Sequence, residues 1–401
     1  MCIRLLLTAF DRNNSEIYGS IMKTVLKYLG NHLKHIDKVL PMICIAITAF
    51  DIFLVNTMQK TGIIDSSTAK IQLIAAIIGI VGAFVISFID YNFISKYWFV
   101  YAPVAIILQF LLFVPSLRIQ IDDDMAWLKF GNITIQPSEI LKFVFIITLA
   151  THISKLGDKI NSLPHLLLVC AHGLFPAALI MIQGDAGSAL VFVFIFICML
   201  FMGGLSWKYL LIGTAAVPPI IYVAWNFVMQ DHHRKRFLML FDKELQQEEI
   251  LGDYLQQYRG TIALGSGQLK GLGFDSDKFT YTPYFENDFV FSYIGMTMGF
   301  IGCIAVVIAL AVLCLKLLSN ASGASDMLGK LICVGVFAMV FFHCVINIGM
   351  VLSVVPVIGI PLPFISQGGT SMMMMHFCMG LVLSVSSHRK KAKHMFYTEK
   401  D

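Results

Sequence analysis

Long apolar segments recur along the whole chain and constrain its fold more than any other feature. Each is roughly 17 to 25 residues long, the length that a helix needs to cross the hydrocarbon core of a bilayer. Of the 401 residues, 57% are hydrophobic and only 13% are charged, whereas soluble domains carry roughly 25% charged residues. Such a chain cannot cover a globule with polar surface, and we predict an integral membrane protein.

The segments are too long to be outer-membrane strands, which alternate in hydrophobicity over about ten residues. Because α-helices satisfy their own backbone hydrogen bonds inside lipid, we predict an all-α fold of about ten transmembrane helices. The predicted spans are Val39–Met58, Ile71–Ile89, Trp98–Val114, Ser138–Ser154, Pro164–Ile182, Ala186–Gly203, Leu210–Met229, Phe289–Leu318, Leu328–Val354 and Phe364–Val385.

Lysine and arginine indicate the orientation of the spans, because cytoplasmic loops are enriched in them. Both ends of the chain are basic, which with an even number of spans places both termini in the cytoplasm. The predicted organisation is a basic cytoplasmic arm at 1–38, a transmembrane domain at 39–385 and a basic cytoplasmic tail at 386–401. One outer loop, 230–288, is long enough to carry a site.

Composition argues against several function classes. The net charge of +4 is too small and too scattered for nucleic-acid binding. The nine cysteines include no CxxC pair and are typical of small buried hydrophobes. The histidines form no HExxH spacing of a metal site, and we expect no cleavable signal peptide.

Two ionisable residues lie near membrane depth in the stretch QPSEILKF, Gln136–Phe143. Glu139 suits the positive N-terminal end of a helix, and Lys142 lies on the same helical face. Intramembrane ionisable residues usually face an interior cavity and a partner, so we favour a functional pair over a simple helix-terminal role. In QGDAGSALVF, Asp185 is placed to cap the next helix, and a ligand role is no better supported.

The stretch YFENDFVFS, Tyr284–Ser292, puts Glu286 and Asp288 directly against an apolar run. The local sequence by itself slightly favours Asp288 as a cap of the following helix. Its position at the end of the long outer loop also makes it a candidate general base, since partial burial raises the pKa of a carboxyl toward neutrality. Both interpretations stay open on the residues alone.

Three further stretches carry polar or glycine residues that suit a ligand. Arg234–Arg236 is either a solvated charge run or a phosphate-binding cluster. Ile262–Phe274 is rich in glycine, which lets a backbone approach a phosphate, but it lacks the Lys-Ser/Thr ending of a nucleotide-binding loop. Pro356–Ser371 contains prolines that forbid a regular helix, followed by small polar residues that either pack tightly or line a lumen.

Taken in order, five stretches resemble the SEDS family of shape, elongation, division and sporulation polymerases, typified by RodA, FtsW and SpoVE. They run from Trp127 to Met372 and are WLKFGNITIQPSEILKF, QGDAGSALVF, IALGSGQLKGLGF, NDFVFSYIGMTMGFIG and NIGMVLSVVPVIGIPLPFISQGGTSM. The last stretch is more similar to RodA than to FtsW.

The resemblance implies a peptidoglycan glycosyltransferase that polymerises lipid II, an undecaprenyl-pyrophosphate-linked disaccharide, at the outer face of the bacterial cytoplasmic membrane. It implies a class B penicillin-binding protein as partner, and a role in cell-shape, division or sporulation wall synthesis. Asp288 matches the family's essential acid and is expected to act as base or as ligand of a divalent cation, Mg²⁺ or Mn²⁺. The residues expected to support the site or bind substrate are Glu139, Lys142, Gln256, Gly265, Ser266, Gly267, Glu286, Arg234, Lys235, Arg236, Ser366 and Gly368.

The chain also departs from the family's pattern. The departures are at Ala126, Gly184, Gln268, Tyr284, Met296, Thr297 and Gln367. Tyr284 stands where an acid is common, and Glu286 is placed to compensate for it. Two other functions stay open, a flippase of lipid-linked precursors and a non-catalytic scaffold for a penicillin-binding protein. We favour the enzyme, because a flippase needs sites reachable from both faces and Asp288 lies at one interface.

Overall fold

A computed structural model of the protein consists mainly of long apolar helices, with one small sheet between two of them. The structure describes residues 30, 36–121, 124–131, 133–229, 231–252, 254–274, 276 and 279–397. Most of the predicted N-terminal arm and the last residues of the predicted tail lie outside the described residues.

The helices and strands have the following bounds in chain order. The helices are α1 (Val39–Lys60), α2 (Ser66–Phe88), α3 (Tyr91–Lys96), α4 (Trp98–Leu111), α5 (Pro137–Leu156), α6 (Leu163–Ile182), α7 (Ala186–Met202), α8 (Trp207–Val223), α9 (Asp231–Leu238), α10 (Lys243–Glu248), α11 (Leu255–Ser266), α12 (Val290–Ser322), α13 (Met327–Val351) and α14 (Gly369–Tyr397). The strands, between α4 and α5, are β1 (Arg118–Ile121), β2 (Asp124–Phe130) and β3 (Ile133–Ile135).

Ten of these helices correspond to the ten predicted spans, and the prediction of a mainly helical, multi-pass membrane protein is confirmed. In the described part of the chain, eight helices are long and apolar enough to cross a membrane, and α4 and α7 are shorter apolar helices. Apolar length predicts these elements well, because every backbone group in lipid must be bonded within its own helix.

The last span begins at Gly369 rather than at Phe364, where the sequence analysis placed its start. Phe364 has a φ of 62°, in the left-handed region, which interrupts a right-handed helix. The backbone N–H groups of Ile365 and Ser366 both donate to the carbonyl of Leu362 and close a turn. The polar residues that follow this turn therefore lie before α14 and stay available to the neighbouring loops.

The segment between α4 and α5 folds into a three-stranded antiparallel sheet, which the prediction of an all-α fold did not include. Ile119 lies opposite Trp127, and Leu128 lies opposite Ile135. Leu128 is fully buried. The backbone N–H of Met125 donates to the carbonyl of Gln183 at 2.9 Å, so the sheet is tied to the turn between α6 and α7.

Glycines let α2 and α14 pack closely along the interior of the bundle. A Cβ atom added at Gly380 would lie 2.6 Å from the carbonyl oxygen of Ala83, and one added at Gly82 would overlap the ring of Phe377. Close approach through small residues is the usual way in which membrane helices associate, because lipid provides no hydrophobic force between them. This contact fixes α14 and the polar turn that precedes it.

The long helix α12 is interrupted at Gly299, which has a φ of 66° and a ψ of −164°. The glycine-rich stretch after α11 packs against this break. The N–H of Gly273 donates to the carbonyl of Thr297 at 3.0 Å, and the N–H of Phe300 donates to the carbonyl of Gln268 at 2.8 Å. Backbone groups freed by the kink are thus bonded by the loop, which steadies the half of α12 that follows Asp288.

Candidate functional site

Three consecutive backbone carbonyls around Asp288 are held by groups from distant parts of the chain. The Nδ2 of Asn347 donates to the carbonyl of Asp288 at 2.8 Å, and the Oγ of Ser366 donates to that of Asn287 at 2.7 Å. The N–H of Gln367 donates to the carbonyl of Glu286 at 2.7 Å. The segment before α12 is therefore fixed from α13 and from the turn before α14.

A tight turn presents Asp288 at the membrane boundary. Tyr284 has a φ of 61°, and its carbonyl accepts from the N–H groups of Asn287 and Phe289. Phe285 and Phe289 are fully buried, and they anchor the turn on both sides of the acid. The N-cap of α12 is Phe289 and has no side-chain hydrogen bond. The capping interpretation of Asp288 is therefore wrong, and its carboxylate is left for another role.

The carboxyl of Asp288 has an unusual environment. Burial first, and then the negative charges of Asp185 and Glu286, raise its pKa to about 6. The side chain is half-buried, so it combines desolvation with access to a ligand. A carboxyl that titrates near neutrality is suited to accept a proton during catalysis.

Asp185 acts as the helix cap that the sequence predicted. Its Oδ1 accepts from the N–H of Ser188 at 2.8 Å, and its Oδ2 accepts from the Nε2 of Gln136 at 3.4 Å. Its charge nevertheless acts on Asp288. Structural capping and an electrostatic effect on the candidate base are thus combined in one residue.

Glu139 and Lys142 form the intramembrane ion pair expected from the sequence. The Nζ of Lys142 lies 2.7 Å from the Oε1 of Glu139, and both side chains are almost fully buried. The Nε2 of His343 also lies 3.3 Å from this Nζ, while the Nδ1 of His343 lies 3.0 Å from the carbonyl oxygen of Pro361. The pair is thereby connected to the proline-rich segment beside Asp288.

Two polar side chains of α13, one helical turn apart, bind the backbone of the proline-rich segment. His343 contacts the carbonyl of Pro361, and the Nδ2 of Asn347 donates to the carbonyl of Ile360 at 2.8 Å. Asn347 is the group that also holds the carbonyl of Asp288. The sequence analysis named neither residue; the available signal was a polar residue inside a long apolar span, which usually marks an interior contact.

The polar turn before α14 contributes through its backbone and through Ser366. The Oγ of Ser366 accepts from the N–H of Leu362 at 2.7 Å. The N–H of Gly368 donates to the Oε1 of Gln72 at 3.0 Å, and the Nε2 of Gln72 donates to the buried carboxyl of Asp51 at 2.7 Å. Ser366 and Gly368 thus belong to the framework that holds Asp288, and Gln72 and Asp51 are supporting residues that the sequence analysis missed.

The glycine-rich loop has a packing role in this structure. A Cβ atom at Gly267 would overlap the carbonyl oxygen of Gly295, whereas one at Gly265 would meet no atom within 4 Å. The Oγ of Ser266 donates to the carbonyl of Ala263 at 2.7 Å. Gln256 is half-buried on α11.

The three predicted phosphate-binding cations, Arg234, Lys235 and Arg236, lie on α9. Arg234 pairs with Asp231 at 3.4 Å, and Lys235 pairs with Glu249 at 2.8 Å. Arg236 is half-buried beside them. Both ion pairs are with acids of the 230–288 loop, so a phosphate would have to compete with Asp231 and Glu249 for these cations.

The acids near Asp288 offer few protein ligands to a metal ion. Across the described residues, no group of three or more His, Cys, Asp and Glu side chains lies close enough together to hold one. The Oε2 of Glu286 is buried and has no hydrogen-bond partner among the described residues, and its charge acts on Asp288. This donor set fits an ion such as Mg²⁺, which commonly keeps several waters and takes one or two carboxylates together with substrate phosphates.

The chain is similar to one protein family over most of its length. The family model FTSW_RODA_SPOVE, described as a cell cycle protein, matches residues 35–391. The stage V sporulation protein E of Bacillus subtilis is 31% identical over 80% of this chain and 87% of its own length. The peptidoglycan glycosyltransferase MrdB of Escherichia coli is 30% identical over 66% of this chain and 71% of its own length. A probable peptidoglycan glycosyltransferase FtsW of Trichlorobacter lovleyi is 29% identical over 90% of this chain and 95% of its own length.

Two solved structures share the fold. A chain from a study of how a peptidoglycan synthase complex coordinates polymerisation and crosslinking superposes with a TM-score of 0.74 at 24% identity, covering 88% of this chain and 98% of its own. The rod shape determining protein RodA of Thermus thermophilus superposes with a TM-score of 0.66 at 24% identity, covering 88% of this chain and 97% of its own. At this identity the likeness establishes the fold alone.

Proposed function

The chain belongs to the FtsW, RodA and SpoVE family of SEDS proteins, and we propose that it is a peptidoglycan glycosyltransferase that polymerises lipid II into glycan strands. The relatives named FtsW and MrdB are peptidoglycan glycosyltransferases by name. For this chain the proposal rests on the environment of Asp288. Its carboxyl has a pKa of about 6. Asn347 holds its backbone carbonyl by a hydrogen bond, and its side chain does not cap α12.

The chemistry requires one base and a neutralised leaving group. The carboxylate of Asp288 takes the proton from the acceptor sugar's hydroxyl, because that hydroxyl has a pKa far above 7 and is a poor nucleophile when protonated. The acceptor oxygen then forms a bond to the anomeric carbon of the donor. The bond from that carbon to the pyrophosphate breaks, and the lipid pyrophosphate leaves with the electron pair. A single displacement of this kind inverts the anomeric centre.

Cations are needed where negative charge develops on the pyrophosphate. In the alternative role, Asp288, with Glu286 nearby, would hold a divalent cation instead of acting as the base, and a bound Mg²⁺ or Mn²⁺ would supply charge neutralisation to phosphate oxygens. Lys142 is the buried cation joined to the same framework. Arg234, Lys235 and Arg236 are the loop cations that we assign to the headgroup of the incoming substrate.

Family membership supports our proposals for the partner and the physiological branch. We assign a class B penicillin-binding protein as the crosslinking partner, and a structural relative comes from a study of a synthase complex that both polymerises and crosslinks. The stretch Asn347–Ser366 resembles RodA, which supports a role in cell shape and elongation. The three relatives FtsW, MrdB and SpoVE compared above are 29%, 30% and 31% identical to this chain, so complementation of strains lacking each relative is the test of the branch.

The protein is a multi-pass membrane protein, and we propose the bacterial cytoplasmic membrane with both termini in the cytoplasm. Asp288 then lies at the outer face, where lipid II is polymerised. Cysteines introduced at the N-terminal arm and at the large outer loop should label from opposite sides of sealed vesicles.

The deciding experiment is polymerisation by purified protein with its partner, lipid II and Mg²⁺ or Mn²⁺. Glycan strands that disappear with Asp288→Asn and persist with Glu248→Gln, a change at an exposed acid of the same loop, support the proposal. Undiminished polymer with Asp288→Asn overturns the assigned base. Transfer of lipid II across the membrane without polymer would instead identify a flippase, and polymer that requires only the partner would identify a scaffold.

A further inference from the structure

A cavity lies between α4, α5 and α6 and runs along α5 from Leu141 to Lys155, so that its polar end lies at the end of α5 opposite to the candidate active site. Its volume is about 470 Å³, and its walls are mainly apolar side chains such as Ile106, Phe145 and Phe175. Cavities of roughly 300 to 1,000 Å³ are typical of sites for small ligands. α5 has 20 residues and is therefore about 30 Å long, so Glu139 at its start and Lys155 at its end lie near opposite faces of the bilayer.

The polar end of this cavity consists of His152, His172 and Lys155. The Nδ1 atoms of the two imidazoles lie 3.1 Å apart, with the rings stacked at 5.4 Å between centroids. The Nε2 of His172 lies 3.2 Å from the Oγ1 of Thr148. These contacts form a continuous chain of hydrogen bonds. Which atom donates in each bond follows from the one proton on the Thr148 hydroxyl and the one N–H of each neutral imidazole.

The single hydroxyl proton of Thr148 goes to the carbonyl of Phe145 at 3.2 Å. The Thr148 oxygen therefore accepts from the Nε2–H of His172. In neutral His172 the Nδ1 then has no proton and accepts from the Nδ1–H of His152. The Nε2 of His152 therefore carries no proton and can only accept a hydrogen bond. Within the described part of the chain no group donates to it.

Lys155 provides a positive charge at the same end of the cavity as this acceptor. Its side chain is exposed in the last turn of α5, and it forms no ion pair with any acid of the described residues. The polar end therefore offers one cation and one hydrogen-bond acceptor above an apolar cavity. The complementary molecule carries a negative charge, a hydroxyl donor and a hydrocarbon chain.

We propose that this cavity binds one molecule of an anionic phospholipid whose headgroup carries hydroxyl groups, such as phosphatidylglycerol. The acyl chain lies between α4, α5 and α6, and the phosphate lies at Lys155. A headgroup hydroxyl donates to the Nε2 of His152. Anionic headgroups are the usual partners of lysine at the ends of membrane helices.

Trp98 lines the same cavity and provides a direct readout of occupancy. The full-length protein is placed in phosphatidylcholine vesicles with increasing fractions of phosphatidylglycerol brominated near the headgroup. The difference in fluorescence quenching between the protein and its Trp98→Phe variant isolates the Trp98 signal. We expect half-maximal quenching at a mole fraction about fivefold lower for brominated phosphatidylglycerol than for brominated phosphatidylcholine. Equal mole fractions for the two lipids overturn the proposal.

Two variants separate the parts of the recognition. Lys155→Gln should remove the preference for the anionic lipid, whereas Lys159→Gln, a matched change on an exposed lysine outside the cavity, should leave it unchanged. Loss of the preference in both variants would indicate a general surface charge effect and overturn the site. Correct folding is checked by the unchanged thermal unfolding of both variants.

The hydroxyl contact is tested with brominated phosphatidylethanol, which has the same charge and lacks headgroup hydroxyls. Phosphatidylglycerol should quench at the lower mole fraction, and Thr148→Val should abolish this difference because the proton on His172 is no longer directed by Thr148. Equal quenching by the two anionic lipids in the unmodified protein would overturn the assignment of His152. None of these measurements uses polymerisation activity.

Discussion

The Nε2 of His343 lies 3.3 Å from the Nζ of Lys142, and both residues are almost fully buried in the helix bundle. Because the carbonyl of Pro361 only accepts hydrogen bonds, the Nδ1 of His343, 3.0 Å away, must donate to it. The Nε2 is then unprotonated and accepts from the Lys142 ammonium. One imidazole thus links the intramembrane ion pair to the segment that lies beside Asp288.

Substitutions at His343 should separate these two contacts. His343→Leu removes both, and we expect polymerisation to fall about tenfold to a hundredfold, since hydrogen bonds to charged groups contribute roughly 1.5–3 kcal/mol. His343→Gln keeps an acceptor within reach of Lys142 and should retain much more activity. The measurement is steady-state polymerisation of lipid II with both variants at matched expression. Equal activity of the two variants would contradict a positioning role for the acceptor.

The activity should depend on pH through Asp288. Its pKa of about 6 means that the base is ionised above that pH and protonated below it. We therefore expect the rate of polymerisation to rise with pH and to reach half of its plateau near pH 6. Asp288→Glu, which retains an ionisable group, should keep a pH dependence, whereas Asp288→Asn should be inactive throughout. A rate that is independent of pH between about 5 and 7 in the unmodified protein would argue against this base.

The same residue should have the opposite effect on stability. The folded-state pKa of about 6 lies above the ordinary value of 3.8, so the folded state binds the proton more tightly and its free energy of unfolding falls as pH rises through that window. Asp288→Asn should therefore be more stable than the native protein near pH 7, by at most about 3 kcal/mol, and less where solvent screens the half-buried carboxyl. The gain should vanish below about pH 4, and thermal unfolding at both pH values measures it.

Close packing of α2 and α14 should not tolerate a methyl group at Gly380. The new Cβ would lie 2.6 Å from the carbonyl oxygen of Ala83, a backbone atom that cannot rotate away, and we expect Gly380→Ala to cost about 1–3 kcal/mol. Gly213→Ala is the matched control, because a Cβ at Gly213 meets nothing within 4 Å. Comparable melting temperatures for the two variants would show that the helices separate more easily than the contact suggests.

Some of the candidate site was predictable from the sequence and some was not. Glu139 and Lys142 lie three residues apart on one helix, and two side chains at this spacing contact each other regardless of the tertiary structure around them. Asp185 was recognised as a cap for the same local reason. That Asp288 does not cap α12 needed the structure, because capping and catalysis suit the same residue type at the same place in the chain. His343, Asn347, Gln72 and Asp51 were missed because their partners are distant in sequence.

The sequence by itself determined that this chain crosses the membrane many times, where most of the spans lie, and which family's motifs it carries. These properties depend on apolar length and on local residue order, since each helix satisfies its own backbone hydrogen bonds. Only the tertiary structure decided which face of each helix points inward and which polar groups meet there. In an apolar span the two faces differ little in hydrophobicity, so the rotation of α13 that brings Asn347 to the carbonyl of Asp288 is set by packing and by the cost of leaving a buried polar group without a partner.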